Sequence, residues 1–405
     1  MKFNQWTVAL AALGVVSLAS AAKAEEQVNS VLTAVSSTTL SGYVDTSAQW
    51  NFGTGDANLP PYKFGGASKA DGFNLDVVQL RIDKPLDEQQ WSAGYRADLW
   101  FGPDANVLGT SSLFGNGTMA STGDFAIRQA YVALRMPVGN GLDWKIGAFD
   151  SILGYESVES PNNPNYTRSW GHSIEPQTHT GVLASYRFSE LVSASAGVAN
   201  TYSQNINDRA FEPVQDTNPK AESYKTYMGS IAITAPESTG FLAGSTLYAG
   251  VVNGFSASYA DNLTSWYAGA TVATPVTGLR CGAAFDLLNA HDISGETWAL
   301  AGYASFQATE KLSLHLRGEY LRDRGDQKYF VAFDDALGTY QPTNPDKVLT
   351  VTATAQYDLW KNVVSRLELR WDHDLTGNGL YGGTTEFEGD MVNAWMLAAN
   401  VIYKF

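Results

Sequence analysis

The chain ends in Asp390-Met-Val-Asn-Ala-Trp-Met-Leu-Ala-Ala-Asn-Val-Ile-Tyr-Lys-Phe405, and this stretch decides the fold class. Trp395, Leu397, Ala399, Val401, Tyr403 and Phe405 share one parity, whereas Ala394, Met396, Ala398, Asn400, Ile402 and Lys404 share the other. Successive side chains of a strand point to opposite faces, so the segment reads as a strand with one wholly apolar, aromatic-rich face. A strand of this kind that finishes on an aromatic residue suits the closing strand of a bacterial outer-membrane barrel, whose lipid-facing band is flanked by aromatic girdles.

The other end of the chain agrees. Lys2 supplies a positive start, Val8 to Ala22 is apolar and small, and Ala22-Lys23-Ala24 fits a small-x-small cleavage site before Glu25. Residues 1–24 therefore read as a secretory signal peptide. Residues 25–39 form a short N-terminal periplasmic segment, too small for the plug of a gated transporter, and residues 40–405 the barrel.

Composition narrows the class. The chain is 44% hydrophobic and only 17% charged, with 38 glycines, 20 tyrosines and 11 tryptophans, which suits strands with interfacial girdles. Two uncharged runs, Ser238–Ala260 and Asn262–Leu279, are long enough to cross a bilayer as helices. Both are studded with Gly, Ser and Thr and break into short alternating blocks, which favours strands. The lone cysteine, Cys281, excludes an intramolecular disulfide framework and a thiolate metal cluster. The formal charge of −15 becomes −17 once Lys2 and Lys23 are removed, and that acidity argues against nucleic-acid binding.

The same alternation recurs along the chain. Leu40, Gly42, Val44, Ala48 and Trp50 oppose Tyr43, Asp45, Ser47 and Gln49. Trp91, Ala93, Tyr95, Ala97, Leu99 and Phe101 oppose Ser92, Arg96 and Asp98. Leu312, Leu314, Leu316 and Tyr320 oppose Ser313, His315, Arg317 and Glu319, and Leu367, Leu369 and Trp371 oppose Arg366, Glu368, Arg370 and Asp372. Around Val77-Val78 the parity shifts, which predicts a bulge. Arg128 shares parity with apolar Ala130, Val132 and Leu134, so it either sits at the headgroup level or is turned inward by a bulge.

Connections alternate in length. Short links are expected at Pro85–Gln90, Pro137–Gly141, Ser189-Glu190, Ala235–Gly244, Thr274–Gly278, Ala308–Lys311 and Asp358–Asn362, with generally longer segments between them. Short periplasmic turns and long extracellular loops then imply an all-β, transmembrane antiparallel β-barrel of about sixteen strands with both termini periplasmic.

Several blocks resemble the OmpL-like β-barrel porin family. These are Ser41-Gly-Tyr-Val-Asp-Thr46, Ile127-Arg-Gln-Ala-Tyr-Val132, Lys145-Ile-Gly-Ala-Phe149 with Gly154-Tyr-Glu156, Asn163-Pro-Asn-Tyr-Thr-Arg-Ser169 and His179-Thr-Gly-Val182. The resemblance covers nearly the whole chain after the signal. It implies an outer-membrane channel and brings no catalytic residue.

The third long loop, Ser151–His179, is the longest of those connections. By analogy with general porins it folds into the barrel and narrows the pore; the alternative is a loop laid over the outside or on a neighbouring subunit. If inward, Glu156, Glu159 and Glu175 face the water-filled lumen, Pro161, Pro164 and Pro176 stiffen the backbone, and Arg168 pairs with one of those carboxylates or with Asp98 or Asp150. Inward wall charges are Asp45, Arg96, Asp98, Lys145, Arg280, Asp286, Arg317, Glu319, Arg366, Glu368 and Arg370. The expectation is that Arg366, Glu368 and Arg370 form a lattice with Arg317 and Glu319.

An outer-membrane hydrolase would need a nucleophile, a base and an orienting group, and of five histidines only His315 lies mid-strand, between Ser313 and Arg317, without triad spacing. Trp371-Asp-His-Asp374 does not make a metal site, because consecutive strand residues diverge. The expected function is therefore a non-enzymatic porin, a passive channel for small hydrophilic solutes and ions. It needs no cofactor or metal, sits in outer-membrane lipid, and is expected to associate as a homotrimer. The alternative is an adhesin or structural barrel that binds a partner through acidic extracellular loops.

Overall fold

The computed structural model describes residues 37–405 except 56, 63–68, 89–90, 109, 111–122, 203–204, 211–223, 257–260, 292–294, 325–330, 335–338, 343–345 and 384–388. The expected signal peptide and most of the segment 25–39 lie outside the described residues. The strands are β1 (Thr39–Trp50), β2 (Gly72–Lys84), β3 (Ser92–Phe101), β4 (Phe125–Met136), β5 (Leu142–Asp150) and β6 (Thr178–Arg187). They continue as β7 (Val192–Ala199), β8 (Thr226–Thr234), β9 (Thr246–Ser256), β10 (Asp261–Ala273), β11 (Leu279–Ala290), β12 (Gly295–Gln307) and β13 (Leu312–Arg324). The last are β14 (Val331–Asp334), β15 (Thr339–Pro342), β16 (Lys347–Trp360), β17 (Val363–Asp374) and β18 (Asn393–Lys404). Among the described residues two short α-helices, α1 (Pro103–Leu108) and α2 (Trp170–Ile174), lie in loops.

Sixteen of these strands pair antiparallel with their neighbours and close into one barrel, while β14 and β15 pair separately as a two-stranded ribbon. Closure joins the first strand to the last, with Tyr43 opposite Lys404 and Trp50 opposite Leu397. A closed ladder satisfies the backbone groups that lipid could not. All seven predicted short links join adjacent barrel strands, and the longer segments fall on the opposite end. The two uncharged runs are β9 and β10, not helices, and no helix among the described residues is long and apolar enough to cross a membrane.

The parity readings hold in detail. On β18, Ala394, Met396, Ala398, Asn400 and Ile402 are buried while Trp395, Val401 and Tyr403 are exposed. Exposed aromatics ring both ends, with Trp50 against Phe73 and Phe101 against Phe125 at the long-loop end, and Trp91, Phe188 and Trp360 at the short-turn end. These are the two interfacial girdles that bracket a lipid-facing band.

Two bulges matter for the interior. The β1–β2 register slips between Asp45 and Thr46, so Asp76 and Val77 both turn inward, as the parity shift near Val77-Val78 predicts. The β3–β4 register slips between Asp98 and Leu99, opposite Arg128. That extra residue turns the guanidinium into the barrel, where it is 1% exposed, and decides the inward alternative for Arg128.

Candidate functional site: a loop across the barrel interior

The segment 151–177 between β5 and β6 does not run over the outside. Its backbone and side chains bond to inward residues on two groups of strands, β2–β4 and β13, β16 and β17. It ends two residues earlier than expected, because Thr178 and His179 already belong to β6.

Local sequence explains its shape. The Asn163 carboxamide accepts from the Ser157 backbone N–H at 2.8 Å and donates to the carbonyls of Ser157 and Glu159, each at 2.7 Å, which closes the loop's first half on itself. Pro161 starts a single 3₁₀ turn over Ser160–Asn162. Ser169 caps α2 by accepting from the His172 N–H at 3.1 Å. Gly154 has φ near +114° and sits where a side chain would run into the Glu175 carboxylate, so only glycine fits there.

One wall anchors Glu159. Its Oε1 accepts from Arg128 at 2.9 Å, from Arg96 at 3.2 Å and from Arg81. Asp98 receives the same three guanidiniums, at 2.8 Å from Arg81, 2.7 Å from Arg96 and 2.8 Å from Arg128. Arg128 also pairs with Asp150. Burial opposes ionisation of Glu159, but Arg81, Arg128 and Arg96 outweigh it and hold the carboxyl below its ordinary pKa.

The second group, β13, β16 and β17, grips the loop, chiefly by its backbone. Glu368 accepts from the N–H groups of Tyr166 at 2.6 Å and Thr167 at 2.9 Å, and Glu319 accepts from the N–H of Trp170 at 2.7 Å. Arg317 donates to Glu156 at 2.8 Å and to the carbonyls of Thr167 at 2.9 Å and Arg168 at 3.1 Å. Arg370 reaches the Arg168 carbonyl at 2.7 Å, and Arg366 the carbonyls of Asn163 at 2.7 Å and Ser160 at 3.2 Å. The Trp170 indole N–H bonds to Thr350 and Asp372, each at 3.0 Å.

Three sequence readings change here. Glu156 and Glu159 do not face open water: they are 8% and 3% exposed and are neutralised by arginines. Among the described residues Arg168 pairs with no carboxylate; it folds back to the carbonyls of Ser157 and Tyr166 at 3.0 Å and Val158 at 3.1 Å, while the nearby Glu156 is held by Arg317. The expected lattice is shorter-range, since Arg317 pairs with Glu319 at 2.5 Å and Arg370 with Asp372 at 2.8 Å along their own strands, leaving Glu368 and Arg366 for the loop.

Three more of the predicted residues are inward, whereas Arg280, at the short-turn end of β11, is exposed. Asp45 accepts from Asn400, Lys145 sits 4.9 Å from the Tyr131 ring centre, and Asp286 hydrogen-bonds Glu175. Sequence reading missed Arg81, although it alternates with Leu80 and Ile82 on β2 and was legible there. His315 bonds Ser305 at 2.8 Å, but its other ring nitrogen has no partner, so no orienting carboxylate completes a triad. No metal-ligating cluster occurs among the described residues.

Residues 37–405 match the family described as "Putative beta-barrel porin-2, OmpL-like". The chain belongs to the OmpL-like β-barrel porin family. It is thus a bacterial outer-membrane barrel, consistent with the girdles and the closed ladder. No curated protein sequence matches it. Among solved structures, this porin-family barrel is similar to the outer membrane channel DcaP of Acinetobacter baumannii, at 14% identity and TM-score 0.56 over 91% of this chain and 97% of that one. It is similar to an anion-selective porin from Comamonas acidovorans, at 13% identity and TM-score 0.56 over 91% and 99% of the two chains. It also resembles Salmonella typhi OmpF in complex with daunomycin, at 14% identity and TM-score 0.55 over 91% and 97%.

Proposed function

We propose that this porin-family barrel is a passive diffusion channel for small hydrophilic solutes and ions, with loop 151–177 as its constriction. One observation carries the reading: a polar loop crosses the interior and is bonded to Arg81, Arg96 and Arg128 on β2–β4 and to Arg317, Arg366 and Arg370 on β13 and β17. A buried guanidinium or carboxylate costs several kcal/mol to desolvate and is tolerated when fully paired. A network that large defines the loop's position, and position is what a pore's selectivity requires.

In this reading the loop narrows the route through the barrel, which favours compact polar solutes over bulky ones. Residues 1–24 serve as the export signal in this reading, and N-terminal sequencing of the mature protein should begin at or near Glu25. Homotrimeric assembly is part of the proposal and is checked by light scattering in detergent. The deciding experiment is planar-bilayer recording of the purified barrel. Discrete conductance steps support the channel; a protein that inserts without conducting would favour the adhesin alternative.

A further inference from the structure

A second feature lies beside the loop and adjoins the arginine cluster through Asp150. Between the loop and strands β9 and β10 is a cavity of about 150 Å³, bordered by Asp150, Tyr155, His172, Glu175, Tyr248 and Tyr267. On the scale where about 10–15 Å³ accommodates one water, it takes a solute of several heavy atoms. We propose that this cavity is a binding subsite for a small organic ammonium ion, a role that rests on the channel reading only for how the solute arrives.

Several polar atoms around it make no hydrogen bond, although His172 Nδ1 stands 3.5 Å from Glu175 Oε2. Both ring nitrogens of His172, the Tyr267 hydroxyl and Asp150 Oδ1 are buried without a hydrogen bond among the described residues. His172 is 7% exposed and Tyr267 6%, so water outside the cavity does not serve them. Such atoms are costly to leave unsatisfied. Three of the four can accept a hydrogen bond, and a primary ammonium carries three N–H donors.

Charge selects a cation over an anion. Of the carboxylates that border the cavity, Glu175, beside Asp286, has no arginine partner among the described residues, whereas Asp150 and Glu156 are already paired with Arg128 and Arg317, guanidiniums that Asp98, Glu159 and Glu319 also hold. An incoming carboxylate would therefore meet Glu175 and Asp286 with both of those guanidiniums engaged, and a further cation, exposed Arg280, acts on Tyr155 and Tyr248 instead. The tyrosine rings add their negative faces, which attract an ammonium. Tyr155 is held in place by stacking on Tyr303 with centres 4.0 Å apart.

The titratable groups facing the site point the same way. Burial, with help from Arg168, holds His172 down at about 4, so its imidazole is neutral and repels no cation. Burial, with the like charge of Glu156, pushes Glu175 up to about 7, and its hydrogen bond to Asp286 pulls partly against this. Two adjacent buried carboxyls favour retaining a proton between them, and a bound ammonium can take that proton's place. Each binding event then releases up to one proton to solvent. Tyr248 and Thr271, near the short-turn ends of β9 and β10, are half-buried.

Calorimetric titration of the detergent-folded barrel tests this without requiring conduction. The probes are propylammonium chloride, 1-propanol and sodium propionate, at pH 6 and pH 8, where an alkylammonium stays protonated. Propylammonium alone should bind, about ten-fold more tightly at pH 8, with a heat that depends on the buffer's ionisation enthalpy. Glu175→Gln should weaken binding about ten-fold and remove the pH dependence. Tyr267→Phe, which keeps the ring and removes the hydroxyl, should weaken it less, with folding of each variant checked by the heat-modifiable gel shift. The proposal is overturned if 1-propanol or propionate binds as well as propylammonium, if no probe binds, or if folded Glu175→Gln matches the parent. A barrel that conducts without binding propylammonium overturns the subsite alone; one that binds it without conducting overturns the channel reading alone.

Discussion

Arg128 donates to Glu159 at 2.9 Å from a strand position whose neighbours, by simple alternation, face lipid. The β3–β4 bulge re-aims it, and so a loop carboxylate acquires its third guanidinium. The pair links the barrel's irregularity to the loop's placement, and both can be tested through it.

Replacing Arg128 by glutamine leaves Glu159, Asp98 and Asp150 with less compensation in a buried setting. Breaking a buried ion pair from one side costs about 3–5 kcal/mol. The unboiled, folded band on a denaturing gel should therefore disappear at a clearly lower temperature than the parent's. An unchanged transition would mean that Arg128 is not part of the anchoring network.

Charge removal from the loop should act on ion preference. Glu159→Gln leaves Arg81, Arg96 and Arg128 facing Asp98 and Asp150 with one negative charge fewer, and Glu156→Gln does the same beside Arg317. Reversal potentials in a KCl gradient should move toward chloride, by about two-fold in permeability ratio for Glu159→Gln. The shift should fade near 1 M salt, where the Debye length is about 3 Å.

Deleting the residues between Pro161 and Pro176 removes the segment gripped by Glu368, Glu319, Arg366 and Arg370. Those wall groups then face water, which solvates them, so the barrel should still assemble. Conductance should at least roughly double, and liposome swelling should admit larger sugars. Unaltered permeation through an assembled variant would remove the loop from the pathway.

Glu175 gives a pH signature. Its carboxyl is raised from an ordinary 4.5 to about 7, so between those values the folded state holds a proton that the unfolded state does not. Its contribution to stability is therefore full below about 4.5 and falls as pH rises through about 7. His172, lowered from 6.5 to about 4, has the opposite slope between those values, because the unfolded imidazole binds the proton. The two partly cancel in the parent. Glu175→Gln should expose the histidine slope, so that loop protection from proteolysis rises with pH from about 4 to about 6.5.

Local residues were enough for the barrel. The alternation of Trp395, Leu397, Val401 and Tyr403 with Met396, Ala398, Asn400 and Ile402, and the alternation of short and long links, specify strands, faces and count. Lipid enforces this, because a strand slipped by one residue would put Arg366, Glu368 and Arg370 into hydrocarbon. The same patterning made most inward charges legible, Arg81 among those overlooked. Partners were a different matter. Nothing in the order of residues says that Glu159 meets Arg81, Arg96 and Arg128, that Arg168 spends its guanidinium on backbone carbonyls, or that Glu368 binds the loop's N–H groups. Those contacts join positions far apart in the chain inside a closed, low-dielectric interior. Which charges pair there depends on how a loop free of any strand period threads the space that sixteen strands enclose.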